Sequence, residues 1–410
     1  MLSVLKGTKN ITKAKVKWRM NMIKVTLKKG EEIRIQQGHP WIFNNEVKSI
    51  EGSYAPGDIV DVHDFKGGFL GRGYINNKSK IIVRLLTRQH EEINREFFKK
   101  RITEAWEYRK RLVDTSSCRV VFGEADFLPA LIVDKFGDYL SVQTLSLGIE
   151  KYKDMIIELL EEIIQPKGIY ERNDVPIREK EGLEQQKGFL RGEFDTTVEI
   201  TENEIKMLVD IANGQKTGYF LDQRENRAAL KPLVKGARVL DTFTHTGGFA
   251  LHAAYYGAEE VTAVDISEHA IEYVNKNAEL NGLQHKIKGV VANVFDYLKE
   301  CQVNNEKFDV VILDPPAFCK TKSALEGAYR GYKEINLRGM KLVKPGGFLI
   351  TCSCSHYMTP NLFEEMLQDA ARDSKKMVRQ VEFRTQAKDH PTLLGSSESL
   401  YLKCYILQVM

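Results

Sequence analysis

The chain has 410 residues, enough for two or three domains that each bury a core, and its 42% hydrophobic and 28% charged content is that of a soluble globular protein. No apolar run approaches a membrane span, and the N-terminus lacks the apolar stretch of a secretory signal; together with six cysteines outside any Cys-x-x-Cys or disulfide-like spacing, this points to reduced thiols, a cytoplasmic location and no membrane partner. The net charge of +4 conceals 17 Lys+Arg against 7 Asp+Glu in residues 1–90, which suggests a polyanionic partner, most simply RNA.

The first 30 residues hold nine Lys/Arg and no acid, so a solvated basic tail is the alternative there. Residues 1–22 show no pattern and read as a basic extension without fixed structure. Residues 23–90 read as a small β domain: Ile23-Lys-Val-Thr-Leu and Ile59-Val-Asp-Val-His alternate as strands do, and residues 69–74 and 81–86 add two more. Between the first two lies Arg34-Ile-Gln-Gln-Gly38-His-Pro40-Trp-Ile-Phe, a helix stopped at Gly38 and a turn at Pro40. This segment resembles a PUA domain, a compact RNA-binding module. Trp41 and Phe43 are expected in its core, while Lys28, Lys29, Arg34 and His39 are the candidates for phosphate contacts. Residues 92–113 follow as one helix, with Ile93, Phe97, Ile102, Trp106 and Val113 near a single face. Two strands around Phe136-Gly-Asp, an amphipathic helix at 152–164 and a strand from Gly168 make residues 91–200 a small α+β domain.

Residues 201–410 carry the densest signal. The loop Asn213-Gly-Gln-Lys-Thr-Gly218-Tyr-Phe-Leu-Asp222-Gln-Arg-Glu-Asn-Arg reads as a lid, with Asp222 capping a helix to Leu233; a plain structural turn is the alternative. Then Val239-Leu240 is a buried strand, Gly247-Gly248 end the turn after it, a helix occupies 249–256, and Val261 to Asp265 is a second strand ending in a carboxylate. Strand, glycine turn, helix and acid-tipped strand describe the first half of a Rossmann-like α/β sheet. The spacing is not Gly-x-Gly-x-x-Gly. A ligand with a ribose and no phosphate therefore fits best, and S-adenosylmethionine is the common one. Helix 268–281 leads to strand 287–291, with Phe295 placed at its end against a purine and Asn293 on the purine's edge. Phe308-Asp-Val-Val-Ile-Leu-Asp314-Pro-Pro-Ala-Phe318 is a buried strand running into Asp-Pro-Pro. A helix at 332–342, a stop at Pro345-Gly-Gly and a fifth strand at 348–352 lead into Ser353-Cys-Ser-His356.

Two prolines cannot donate to a sheet ladder, so the strand must end at Pro315 and present the Asp314 carboxylate beside the ligand; a mere strand-ending turn is the alternative. Carbon 5 of cytosine becomes nucleophilic only after something adds at carbon 6, a task for the thiolate of Cys354, with Asp314 serving the ring nitrogen. A small buried cysteine is the alternative. Cys352, Cys354 and His356 lack a second pair of ligands, and no metal is expected.

Taken together, Gly38-His-Pro-Trp-Ile-Phe, Gln215-Lys-Thr-Gly-Tyr-Phe-Leu-Asp-Gln-Arg, Phe243-x-x-Thr-Gly-Gly-Phe, Asp314-Pro-Pro-x-Phe, Arg330-Gly-Tyr-Lys, Ser353-Cys-Ser and Asp389-His-Pro resemble the bacterial PUA-containing class I methyltransferases that make 5-methylcytosine in large-subunit ribosomal RNA. The resemblance implies Cys354 as nucleophile with Asp314 as its catalytic partner. It implies a pocket for S-adenosyl-L-methionine built from Phe220, Gln223, Arg224, Asp241, Phe243, Thr246, Gly247, Gly248, Asp265, Ile266, Asn293, Val294, Phe295, Asp314 and Pro315. Ribosomal RNA as partner and a homodimer follow from the same likeness. Three departures stand out: Asn293 where the family often has Asp, Phe127 and Ala130 in place of glycines, and Ala317 where other RNA cytosine-5 methyltransferases carry a second cysteine. The rival readings are a methyltransferase acting on a base nitrogen, which would not need Cys354, and a non-catalytic RNA-binding protein that keeps the fold.

Overall fold

The computed structural model describes residues 22–410, so most of the basic extension lies outside the described residues. The described chain forms two compact units, one of residues 22–194 with Thr392–Ser399 and one of Asp195–Pro391 with Leu400–Met410.

The first unit holds a six-stranded sheet in the order Trp41–Phe43, Ile81–Thr87, Phe69–Ile75, Ile59–His63, Ile23–Leu27, Val47–Glu51. The alternation seen in sequence places Val25, Leu27, Val60 and Val62 on the buried side, all at 0% exposure. Gly73 is required there, because a Cβ would sit 2.0 Å from the Arg84 carbonyl oxygen on the neighbouring strand. A five-stranded sheet follows, ordered Gln186–Arg191, Gly168–Asn173, Tyr139–Thr144, Leu131–Phe136, Ser117–Phe122. Its central hairpin turns at Gly137-Asp138, with Phe136 facing Tyr139 and Gly137 at φ 59°. The long helix is Arg95–Leu112, begun by Asn94, whose side chain accepts from the Phe97 amide. Arg84 and Glu181, both almost fully buried, pair at 2.7 Å, and Glu181 also accepts from Asn76 and Ser79. The Glu181 carboxylate is thereby partnered by three side chains, while Arg84 Nε finds no partner among the described residues, and the pair ties the six-stranded sheet to the α+β region that follows.

The second unit opens with the hairpin Thr197–Glu202 and Ile205–Asp210. Its main sheet has seven strands: β1 Arg238–Thr242, β2 Glu260–Asp265, β3 Ile287–Val291, β4 Phe308–Leu313, β5 Val343–Ser353, β6 Val378–Arg384 and β7 Lys403–Val409. They lie in the order β3-β2-β1-β4-β5-β7-β6, parallel except for β7, which runs against both neighbours. Helices α1 Gly248–Tyr255, α2 Glu268–Leu280, α3 Val294–Val303, α4 Leu325–Leu342 and α5 Pro360–Ser374 connect or follow the strands. The order reverses between β1 and β4, and in such sheets a ligand crevice opens at that point beyond the strands' carboxyl ends.

Several local expectations change. The third strand stops at Val291; Asn293 caps α3 by accepting from the Phe295 amide at 2.9 Å, so Phe295 belongs to the helix rather than to the strand end. Helix α4 begins at Leu325, a full two turns before the position read from sequence. Pro345 does not separate helix from strand: β5 starts at Val343, and its register against β4 slips between Phe308 and Val310, so residues 344–347 bulge where proline needs no ladder partner. Asp222 caps no long helix. One 3-10 turn, Leu221–Gln223, runs into the short helix Arg224–Ala228, and the Asp222 carboxylate accepts from Lys216 and Tyr401 instead.

Candidate functional site

A cavity of about 380 Å3 opens at the carboxyl ends of β1, β2 and β4 in the second unit. From the predicted set it is lined by Phe220, Gln223, Phe243, Gly248, Asp265, Ile266, Asn293, Val294, Phe295, Asp314, Pro315 and Cys354. Four predicted residues stand outside the lining. Arg224 turns toward Glu202, its Nε 3.7 Å from that carboxylate, and the next arginine on the same face, Arg227, reaches the cavity in its place. Asp241 is fully buried under the loop that follows β1, accepting from the Thr244 hydroxyl at 2.5 Å and the Ala250 amide at 3.0 Å. Thr246 uses its carbonyl to hold Asn277, and Gly247 turns the chain at φ 89° into α1.

The loop from β1 to α1 is wound tightly. Phe243 at φ 58° and His245 at φ 51° occupy the left-handed region, each at a cost of about 1–2 kcal/mol, which persists only where the surroundings fix the backbone. The reward is orientation: the His245 amide donates to Asp265 at 3.0 Å, and the Ser267 amide donates to its other oxygen at 3.0 Å. The β2 carboxylate is thus aimed by two backbone groups and keeps lone pairs for a diol. At Gly248 a Cβ would lie 2.9 Å from Arg227 Nη1 and 3.2 Å from the Tyr219 hydroxyl, so only glycine lets α1 start this close. Arg227 is itself fixed by Glu202 at 2.7 Å and by the Phe220 carbonyl at 2.6 Å.

Asp314 and Cys354 both line this cavity. Gln223 donates to Asp314 Oδ1 at 3.0 Å. Burial first, then the nearby Asp222 charge, push the Asp314 carboxyl up to about 7, with Arg227, Lys216 and Gln223 acting the other way. Asp241 is likewise pushed up to about 7 by burial, and its Oδ1 has no hydrogen-bond partner among the described residues. Two carboxyls near neutrality can hold or release a proton at working pH, and both become easier to ionise beside a cation. Cys354 follows the last residue of β5. Burial raises its thiol, Asp314 and Asp222 raise it further, and Lys216 and Lys403 oppose them. Cys352, two residues earlier, is a fully buried strand residue paired in register with Cys404. Cys319 does not reach the cavity lining and donates its thiol to the Thr321 carbonyl.

Lys216, Asp222 and Leu402 line the cavity although none was named as a pocket residue from sequence, and Tyr401 and Lys403 sit just behind it. Lys216 Nζ is 4.4 Å from the Phe220 ring centre and 3.2 Å from Asp222, to which Tyr401 donates at 2.5 Å. Lys403 is buried and donates to the Ser355 and Tyr401 carbonyls at 2.7 and 2.9 Å; burial lowers its ammonium to about 8. A basic residue that starts an apolar strand was the one available signal for it. His245 also lines the cavity, neutral at physiological pH because burial lowers it to about 4.

The residues fit S-adenosylmethionine on structural grounds: an oriented carboxylate for a ribose diol, exposed Ile266 (69%) beside Phe295 for an adenine face, an orphaned carboxylate oxygen, and buried acids suited to a cationic ligand.

The candidate phosphate contacts are a partial correction. His39 is buried, 4% exposed and 3.3 Å from Glu398, with burial lowering its pKa; Arg34 is occupied by Glu46 at 2.6 Å and the Trp41 carbonyl at 2.9 Å. His39 is thus withdrawn from solvent, and Arg34 is half-buried with one nitrogen engaged. Lys28 and Lys29 are exposed. Trp41 and Phe43 lie half-buried at the sheet's edge rather than in its core, Trp41 donating to Glu124 at 2.8 Å.

Comparisons with known proteins follow this geometry. Residues 25–88 match the PUA-like domain model, and residues 178–397 match the model for S-adenosylmethionine-dependent methyltransferases. The ribosomal RNA large subunit methyltransferase I of Klebsiella pneumoniae (strain 342) is 41% identical over 393 residues, covering 94% of this chain and 98% of that protein. The protein of the same name from Aeromonas salmonicida is 40% identical over 390 residues, covering 94% and 98%. A Streptococcus mutans structure described as a SAM-dependent methyltransferase superposes with TM-score 0.81 at 23% identity, over 95% of this chain and all of that one. A methyltransferase structure complexed with SAH gives 0.82 at 23% identity with the same coverage, and both show the shared fold.

Proposed function

The chain belongs to the S-adenosylmethionine-dependent methyltransferase family, and on that premise we propose that it methylates carbon 5 of a cytosine in large-subunit ribosomal RNA through a covalent Cys354 adduct. The observation that carries the chemistry is the meeting of Cys354 and Asp314 in one cavity, the acid held near neutrality. The RNA substrate is supported by the names of the relatives and by the PUA-like region.

S-adenosylmethionine supplies an electrophilic methyl group. The Cys354 thiolate, which Lys216 and Lys403 favour against burial and the nearby acids, forms a bond to carbon 6 of cytosine. Electrons of the 5,6 double bond shift toward carbon 5 and the ring, and protonated Asp314 donates to the ring nitrogen as charge develops there. Carbon 5 takes the methyl group. The carbon-5 proton passes to water as the double bond is restored, the sulfur–carbon bond breaks to return the thiolate, and the ring nitrogen gives its proton back to Asp314. Gln223 holds Asp314 in register for that exchange, and Asp265, aimed by the His245 amide, would hold the cofactor's ribose end.

RNA bearing tritium at carbon 5 of cytosine tests the reading. Transfer to carbon 5 must release one tritium to water for each methyl group incorporated. Methylation without tritium release would instead support attack by a base nitrogen.

A further inference from the structure

Deepening this reading, and resting on RNA as the substrate, a second cavity in the first unit has a use of its own. It has a volume of about 240 Å3 and is lined by Arg88, Arg101, Phe127, Pro129 and Leu393 among others. Phe127 is 49% exposed, yet its backbone sits at φ 58°, ψ 28°, the left-handed region that a bulky residue avoids. The structure enforces this. The 3-10 turn Gly123–Asp126 ahead of it is pinned by Arg109 on Asp126 at 2.7 Å and by Trp41 on Glu124 at 2.8 Å. Ala130, three residues on, is also left-handed at φ 66°. Glycine would serve the turn at no steric cost. A large aromatic ring is thus held rigidly at a cavity mouth by a backbone that disfavours it.

The surroundings define what the ring could meet. The Arg101 guanidinium lies 5.2 Å from the Phe127 ring centre, with Glu104 3.6 Å away on its own helix. Exposed Arg88 gives two of its five donors to the Ile35 and Gln36 carbonyls and keeps the rest. Glu124, the acid in the lining, is taken up by Trp41. An exposed aromatic ring with one guanidinium over it and a second lining the same cavity can take a base by stacking and its phosphate by charge. The volume is below the ~300–1,000 Å3 of pockets for drug-sized ligands and suits a single planar ring system. We propose that this cavity is a subsite for one unpaired RNA base, stacked on Phe127, with the adjoining phosphate held by Arg88 and Arg101.

The full-length protein and a single-stranded RNA carrying 2-aminopurine test it, with Phe127→Gly as the variant. Glycine accepts φ 58° freely, so the variant should melt at or above the wild-type temperature. Its RNA affinity should fall about 5- to 100-fold, and the quenching of 2-aminopurine on binding should disappear. Arg88→Gln should weaken binding while leaving the quenching of bound RNA in place. Ultraviolet crosslinking of wild type should map to Phe127. Unchanged affinity and quenching in a Phe127→Gly protein that still methylates RNA would overturn the subsite alone. A wild type that neither binds nor methylates RNA would overturn the functional reading and the subsite with it.

Discussion

Asp314 and Asp241 are each pushed up to about 7, chiefly by burial, and this sets a pH signature at the level of single residues. A raised carboxyl contributes stability in full below its ordinary value of about 3.9 and loses it as pH rises through about 7. The ligand-free protein should therefore lose stability between about pH 4 and 7, and Asp314→Asn should lose less, as read by urea titration at several pH values. Cationic S-adenosylmethionine reverses the preference. Its affinity should rise through pH 7, with proton release visible by calorimetry in buffers of different ionisation heat. Lys403→Met should slow iodoacetamide alkylation of Cys354 at pH 8, because one of the two cations that oppose the rise of its thiol is gone. At this scale the sequence is a partial guide. Asp314 and Cys354 were legible because Pro315 and the end of an apolar strand fix where they point. Arg224 and Arg227 were not separable, since three positions on a short helix decide which one meets Glu202 only and which one reaches the cavity. His39 and Arg34 carry charge in sequence, but their partners Glu398 and Glu46 appear only in the fold.

Among the elements, the parallel half of the main sheet was readable because each strand is a short apolar run followed by a helix and a turn. The antiparallel insertion of β7 between β5 and β6 was not, since pairs such as Phe348 with Gln408 and Val378 with Val409 are too far apart in sequence to leave a local signature. It is that insertion which brings Tyr401, Leu402 and Lys403 to the cavity. The lid-like loop around Gly218 did announce itself, through glycines whose backbone must approach closely: a Cβ at Gly214 would meet the Asp210 carbonyl oxygen at 2.4 Å. Between elements, the buried pair of Arg84 and Glu181 joins two parts of the first unit. Glu181→Ala would strand a buried guanidinium, and the expected loss is about 3–5 kcal/mol in urea denaturation. A change within about 0.5 kcal/mol would show that the network adds nothing to that junction.

For the whole molecule, the basic bias of residues 1–90 has two sources that behave differently. Residues 1–21 hold six Lys/Arg, and removing them should lower the salt slope of RNA binding by at most about 4, using ~0.7 per neutralised phosphate on single strands. An unchanged slope would mark them as a solubilising extension. The central claim is the covalent step, and 5-fluorocytosine in the RNA substrate tests it most directly. Fluorine cannot leave carbon 5 as a cation, so after methyl transfer the sulfur–carbon bond has no route to break. Wild-type protein with S-adenosylmethionine should form an adduct stable to denaturing gels, mapping to Cys354. Cys352→Ala should still form it, and Cys354→Ala should not while keeping its affinity for the cofactor. Full methylation of ordinary RNA by Cys354→Ala, with no adduct from wild type, would contradict the account.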